Sequence, residues 1–140
     1  MIEVDGYTVI HAGDALIVTF PDGTAERLVA AGDAVSSTPP VHAQLVAYNA
    51  HDIDTFVAQY APTCTVEGVG TTSALADEVP KYVSMFRDNP QLRASVRNRL
   101  IAGGWVADEE FVTGHTRGDF RAIALYEVRN AIITAVRFLP

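Results

Sequence analysis

Two glutamates in the second half of the chain are the side chains best suited to acid–base chemistry. Glu109 and Glu127 each lie in a segment with the pattern of a β-strand whose one face is mostly apolar. A carboxyl group in an apolar wall is held away from water, so we expect its pKa to rise toward neutrality. Such a group can both give and accept a proton near neutral pH. The sequence therefore predicts a general acid or base at these positions.

The orientation of Glu109 depends on the register of a β-hairpin over residues 93–113. A two-residue turn at 103–104 predicts three cross-strand pairs: Asn98 with Glu109, Arg99 with Asp108, and Arg97 with Glu110. The face that carries Glu109 is the more apolar one, so we expect it to look inward, with Asn98 beside the carboxyl group. The apolar members of this face are Val96, Leu100, Trp105, Ala107 and Phe111. Two alternatives stay open, since a one-residue register shift would turn Asp108 and Glu110 inward, and "ADEE" also suits an exposed turn.

A second hairpin, with Asn130-Ala131 as its turn, places Glu127. This pairing puts Glu127 on one apolar face and Tyr126 on the opposite face. The residues that share the Glu127 face are Ile123, Leu125, Val136 and Phe138. The alternative is a strand-end glutamate near solvent.

Composition limits the classes of partner. The chain has 140 residues, 49% of them hydrophobic, and a net charge of −7, which fits one globular domain. Acidic residues outnumber basic ones and are scattered, which disfavours nucleic acid and anionic membranes as partners. The four histidines lack metal-ligand spacing, so we expect neither a metal nor a cofactor. No signal peptide or membrane span is visible, so the chain is predicted to be cytoplasmic.

The order of elements predicts an α+β fold in two parts. Residues 1–37 contain short apolar strands broken by Gly and Asp turns and end in a polar linker, which predicts an N-terminal β-meander. A helix is predicted to begin at Pro39 or Pro40 with Thr38 as its N-cap. Two further helices follow, one capped by Asp52 and one near 78–88. Strands are predicted over about 93–102, 105–113, 119–129 and 132–139.

The stretch "DIDTFVAQYAPTCTVE", from Asp52 to Glu67, carries the most specific pattern in the chain. It is a capped helix followed by a short polar break and then Thr-Val-Glu. Together with the ending "ALYEVRNAIITAVRF", it resembles the SnoaL-like polyketide cyclase and ketosteroid isomerase group, over about residues 38–140. The resemblance implies the cone of nuclear transport factor 2 (NTF2): a curved antiparallel sheet packed on about three helices. It also implies a pocket for a small apolar molecule.

The isomerases of this group use an aspartate base, with a tyrosine and a protonated aspartic acid as oxyanion donors. At the matching base position this chain has Gly68, which cannot take a proton. Gln44 stands at the tyrosine position, and its amide can still donate a hydrogen bond. The second acid matches Leu125, with Glu127 two residues further on. The resemblance and the apolar pattern together predict these pocket-lining residues: Tyr48, Tyr60, Val66, Gly68, Tyr82, Phe86, Trp105, Phe111 and Leu125.

The predicted function is cofactor-free acid–base chemistry, meaning isomerisation, cyclisation or hydration, on an apolar or polyketide-like molecule. The candidate catalytic residues are Glu109, Glu127, Asn98 and Gln44. The alternative is a non-catalytic module of the same fold that binds a ligand or dimerises, and Gly68 favours it. The resemblance also implies a homodimer, formed through the outer face of the sheet.

Overall fold

Short strands at the N-terminus form an antiparallel four-stranded sheet in the order β1-β2-β3-β4. The strands are β1 (Ile2–Val4), β2 (Tyr7–Ala12), β3 (Ala15–Thr19) and β4 (Ala25–Leu28). The β1–β2 turn consists of Asp5 and Gly6, whose φ angles of 52° and 84° are the left-handed values that such tight hairpins need. This computed structural model describes residues 1–29, 32–68 and 70–139, and it confirms the predicted N-terminal meander.

The described residues that follow the meander form three helices and a six-stranded sheet in the order β6-β5-β10-β9-β8-β7. The helices are α1 (Ala34–Asn49), α2 (Ile53–Ala58) and α3 (Leu75–Asp88). The strands are β5 (Tyr60–Gly68), β6 (Thr71–Ala74), β7 (Arg93–Ala102), β8 (Trp105–Thr113), β9 (Phe120–Arg129) and β10 (Ile132–Leu139). All neighbours are antiparallel except β5 and β10. The predicted α+β class is confirmed, whereas β6 was not predicted.

The first helix begins earlier than predicted. Asp33 is its N-cap and accepts a 2.8 Å hydrogen bond from the Ser36 backbone N–H, so Thr38 as the cap is wrong. Pro39 and Pro40 lie inside the helix, although a proline beyond the first turn supplies no N–H to the helix hydrogen bonds. The helix therefore begins inside the predicted linker. Among the described residues, no helix is both long enough and apolar enough to cross a membrane.

The six-stranded sheet is apolar on both faces. Its inner face, with residues such as Val106, packs on the helices, with residues such as Val41 and Phe56. Its outer face is defined by Ala102, Trp105, Ala107, Ile123 and Leu125, and it packs on the N-terminal meander. The meander contributes these buried residues: Ile2, Val4, Val9, Leu16, Val18 and Leu28. The face predicted to form a dimer interface is thus covered within the chain, and the dimer itself stays a prediction.

Two β-bulges change the faces that simple alternation predicts. In the β7–β8 hairpin, Asn98 pairs with Glu109 as predicted, but Val96 rather than Arg97 lies opposite Glu110. Arg97 is the extra residue, and its guanidinium lies 4.3 Å from the centre of the Phe111 ring. In β10 the register shifts between Ile133 and Ala135. Val136 and Phe138 therefore lie on the Tyr126 side and not, as predicted, beside Glu127.

Candidate active site

A cavity of about 650 Å³ opens between the inner face of the sheet and the helices. This size is typical of small-molecule sites. Its wall is largely aromatic and aliphatic, and the charged side chains in it are Asp5, Glu110 and Arg121. Of the predicted site residues, the wall contains Gln44, Tyr48, Tyr60, Gly68 and Tyr82.

Glu110 is the less exposed of the two acids that line this cavity. It lies on β8, two residues beyond Asp108, and its carboxyl group reaches the wall from the sheet. Burial raises the pKa of Glu110 from 4.5 to about 7, and the nearby charge of Asp108 adds to the shift. A hydrogen bond from Tyr126 and the charge of Arg99 oppose it. Near neutral pH, Glu110 is therefore present in both protonation states.

Glu110 terminates a chain of three side-chain hydrogen bonds. The Tyr60 hydroxyl donates to Gln44 Oε1 over 3.1 Å, and Gln44 Nε2 donates to the Tyr126 hydroxyl over 3.2 Å. Tyr126 in turn donates to Glu110 Oε1 over 2.9 Å. In each of these three hydrogen bonds, the acceptor is the group nearer to Glu110 along the series. The arrangement stabilises a carboxylate at Glu110 and fixes its position in the wall.

The other carboxylate oxygen of Glu110 is available to a ligand. Within residues 1–29, 32–68 and 70–139, Oε2 of Glu110 has no hydrogen-bond partner. The hydroxyls of Tyr48 and Tyr82, which also line the cavity, bond no protein group in the same ranges. Burial raises the pKa of both phenols, and the charge of Glu110 adds to the rise, so the three groups share one electrostatic environment. The wall thus combines a titratable acid with two neutral hydroxyl donors.

An ion pair lies next to Glu110 on the same face of the sheet. Arg99 contacts Asp108 through two hydrogen bonds of 2.6 and 2.9 Å, and Asp108 is fully buried. Burial raises the pKa of Asp108 and outweighs the lowering effect of Arg99. Asp108 does not line the cavity, and it acts on Glu110 through its neighbouring charge.

Glu109 lies on the other side of the sheet, contrary to the prediction. Its carboxylate accepts hydrogen bonds from Asn98 (2.8 Å) and Arg121 (2.7 Å). These two partners lower the pKa of Glu109, and Asn98 has the larger effect, so the expected rise is wrong as well. The prediction turned the more apolar face of the hairpin toward the cavity. That face is apolar because it packs against the N-terminal meander on the outer side of the sheet. Neither Glu109 nor Asn98 lines the cavity.

Several other predicted site residues also lie outside the cavity. Glu127 is on the outer side, where it accepts a 2.9 Å hydrogen bond from Thr134 and contacts Arg129. Val66 is part of the inner core, and Phe86 makes edge contacts with Tyr48 and Phe56 without lining the cavity itself. The remaining three predicted lining residues, which lie on the side of Glu109 and Glu127, are Trp105, Phe111 and Leu125.

Sequence reasoning named Glu110 only as the result of a register shift and gave Tyr126 no role. No such shift occurs between Asn98 and Ala102: Glu110 faces the cavity because the meander covers the opposite face of β8, the one that carries Glu109. Tyr126 had a usable signal, since it is the polar member of the strand face that also carries Ala124 and Val128. In the part of the chain that the structure describes, no group of three or more His, Cys, Asp or Glu side chains is placed to hold a metal ion.

Comparisons with known proteins agree with this architecture. The sequence profile of the SnoaL-like domain matches residues 41–136. An uncharacterised cystatin-fold protein from Novosphingobium aromaticivorans superposes with a TM-score of 0.64 at 23% identity, over 72% of this chain and 95% of that one. An NTF2-like protein of unknown function from Cytophaga hutchinsonii gives 0.64 at 13% identity, over 74% and 88%.

A protein from Jannaschia sp. described as a SnoaL-like polyketide cyclase gives a TM-score of 0.64 at 11% identity, over 80% of this chain and 90% of that one. At these identities the likeness concerns the fold alone. No curated protein sequence matches the chain. The profile match covers most of the chain, so this protein belongs to the SnoaL-like domain family and has its NTF2-like fold.

Proposed function

We propose that this protein is an enzyme that moves a proton on a small, mostly apolar carbonyl compound, with Glu110 as the acid–base group. The observation that carries the proposal is the position of Glu110: its carboxyl group lies in the wall of an apolar cavity, with one oxygen held by Tyr126 and the other without a partner among the described residues. A pKa of about 7 allows this group to accept a proton and return it at neutral pH.

The reaction requires a base and a donor for the charge that develops on the carbonyl oxygen. Glu110 removes a proton from the carbon next to the carbonyl, and the electron pair of the broken C–H bond moves onto the carbonyl oxygen. The hydroxyls of Tyr48 and Tyr82 are the donors available to that oxyanion. Protonated Glu110 then returns the proton to the same carbon or, where the ligand has a C=C bond between its β- and γ-carbons, to the γ-carbon while that C=C bond moves into conjugation with the re-formed carbonyl; the second outcome is an isomerisation.

The chain from Tyr60 through Gln44 to Tyr126 supports the base. It holds the carboxylate in one orientation and limits how far its pKa rises, because the Tyr126 hydrogen bond favours the charged form. Gly68, which stands at the position of the aspartate of the isomerases, lines the wall without a side chain. The proposed base therefore comes from β8, whereas in the isomerases it comes from the position of Gly68 on β5.

Hydrogen–deuterium exchange of a simple ketone tests the proposal. The probe is 2-tetralone in D₂O, and NMR follows the loss of its α-protons. We expect the protein to accelerate exchange, and Glu110→Gln to lower that acceleration about 100-fold or more, as for loss of a general base. Glu127→Gln, which changes an acid outside the cavity, is the matched control and should keep full activity. Tight binding of the ketone without exchange would instead indicate a ligand-binding module.

A further inference from the structure

The N-terminal meander contributes a side chain to the mouth of the cavity. Asp5, in the β1–β2 turn, lines the cavity together with Phe120 and Arg121 at the start of β9. Asp5 is exposed to solvent, whereas Glu110 is half-buried in the wall. Asp5 thus comes from outside the segment that matches the SnoaL-like profile, which begins at residue 41.

The position of Asp5 is fixed from both sides. Ile2 and Val4, which precede it, are buried against the outer face of the sheet. Arg121 Nη2 donates to the Glu3 backbone carbonyl over 3.3 Å and so fastens β1 to β9. Asp5 itself adopts a left-handed backbone conformation in a tight turn with Gly6. The carboxylate is therefore held at the rim by the fold rather than placed there by a flexible tail.

The mouth carries an uncompensated negative charge. Arg121, the cation among the charged lining residues, already pairs with Glu109 over 2.7 Å. Asp5 takes part in no salt bridge within the described ranges. An unpaired carboxylate at the rim attracts a cationic ligand group and repels an anionic one.

We propose that Asp5 is a specificity-determining residue, which favours ligands that place an ammonium group at the mouth over ligands that place a carboxylate there. The inference rests on the proposed function, because it concerns the ligand of the same cavity. The ligand class is then an apolar, aromatic-sized body with an oxygen function at its deep end and a cationic group at its outer end. For an exposed charge contact, we expect a preference of about fivefold to tenfold in affinity.

Three matched probes test this inference: 2-naphthols that carry an aminomethyl, a hydroxymethyl or a carboxylate group on the second ring. Their dissociation constants are measured by fluorescence at pH 7 and low ionic strength. The aminomethyl probe should bind the wild-type protein about fivefold to tenfold more tightly than the carboxylate probe. Asp5→Asn should remove most of this preference, and asparagine suits the left-handed turn, so the variant keeps the fold. Added salt should weaken the preference.

Asp14→Asn is the matched control. Asp14 lies in the β2–β3 turn, at the opposite end of the meander, and pairs with Arg27 over 3.0 Å in solvent. This variant changes the net charge equally and should keep the wild-type preference. The inference would be overturned if the wild-type protein showed no preference for the aminomethyl probe, or if Asp5→Asn kept that preference unchanged. In either case, binding of the neutral hydroxymethyl probe would leave the proposed function standing. Failure of the neutral probe to bind would contradict both.

Discussion

The Tyr126 hydroxyl donates a 2.9 Å hydrogen bond to Oε1 of Glu110, and this bond opposes the effect of burial on the acid. Burial favours the protonated carboxyl group, whereas a donor that points at the carboxylate favours the charged form. The pKa of Glu110 is the balance of these opposing effects. Changes to each contributor should therefore shift it in a predictable direction.

Tyr126→Phe should raise the pKa of Glu110 above its wild-type value of about 7. The substitution keeps the ring and removes the hydroxyl that stabilises the carboxylate. A ¹³C NMR titration of the Glu110 carboxyl carbon measures the shift. Tyr60→Phe is the control, since Tyr60 lies at the far end of the hydrogen-bond chain and should change this pKa little. An equal shift in both variants would show that the Tyr126 contact has no special role.

Asp108→Asn should lower the pKa of Glu110. The substitution removes a negative charge that raises this pKa and leaves the positive charge of Arg99 without its partner. The same change should cost about 3–5 kcal/mol of stability, because the pair is largely buried. Titration and urea unfolding of the one variant check both statements. A Glu110 pKa that rises or stays constant would contradict the assigned role of Asp108.

The free energy of unfolding of Glu110→Gln, relative to that of wild type, should increase as the pH rises. The pKa of Glu110 is about 7 in the folded state and near 4.5 in the unfolded state, so the folded state binds more protons between these values. The stabilisation from proton binding is fully present below pH 4.5 and is lost as the pH rises through 7. It amounts to about 3 kcal/mol at most.

Urea unfolding at pH 5 and pH 8 measures this difference. The free energy of unfolding of wild type should fall between the two pH values by more than that of Glu110→Gln. Glu127→Gln, whose acid lies outside the cavity, should follow the wild type. Parallel behaviour of wild type and Glu110→Gln would mean that Glu110 titrates normally.

Gln44→Leu should destabilise the protein by about 1–3 kcal/mol. Gln44 is buried, and its amide accepts from Tyr60 and donates to Tyr126, so leucine leaves the Tyr60 hydroxyl without its acceptor. Gln91→Leu, at an exposed position, is the control and should change stability by less than about 0.5 kcal/mol. Equal unfolding midpoints for the two variants would argue against a stabilising role of the hydrogen-bond chain.

Sequence patterns predicted most of the architecture, because the turns and apolar periods are strong local signals. The turns at 103–104 and 130–131 fixed both hairpins, and the pairing of Arg99 with Asp108 follows from the first turn alone. Prolines were less reliable, since Pro39 and Pro40 lie inside α1 and not at its first residue. The start of α1 was therefore placed too late, whereas the cap of α2 at Asp52 was predicted correctly.

The position of the acid could not be predicted because the rule that the more apolar face looks inward fails here. The meander buries the outer face as thoroughly as the helices bury the inner one. Trp105 and Leu125 appeared to be cavity residues on the ground of that rule. The bulge at Arg97 changes the faces of β7 residues such as Val96, but it leaves the alternation of Glu109 and Glu110 along β8 as predicted. Gln44 and Tyr48, the predicted wall residues on α1, were placed correctly because the orientation of a helix residue depends on neither the bulge nor the meander.

The most direct test of the central claim is a ¹³C NMR titration of the Glu110 carboxyl carbon in the wild-type protein, with Glu110→Gln used to assign the signal. We predict that this signal titrates with an apparent pKa of about 7. A midpoint near 4.5, the ordinary value for glutamate, would show that Glu110 is fully charged at neutral pH and would contradict its role as the acid–base group.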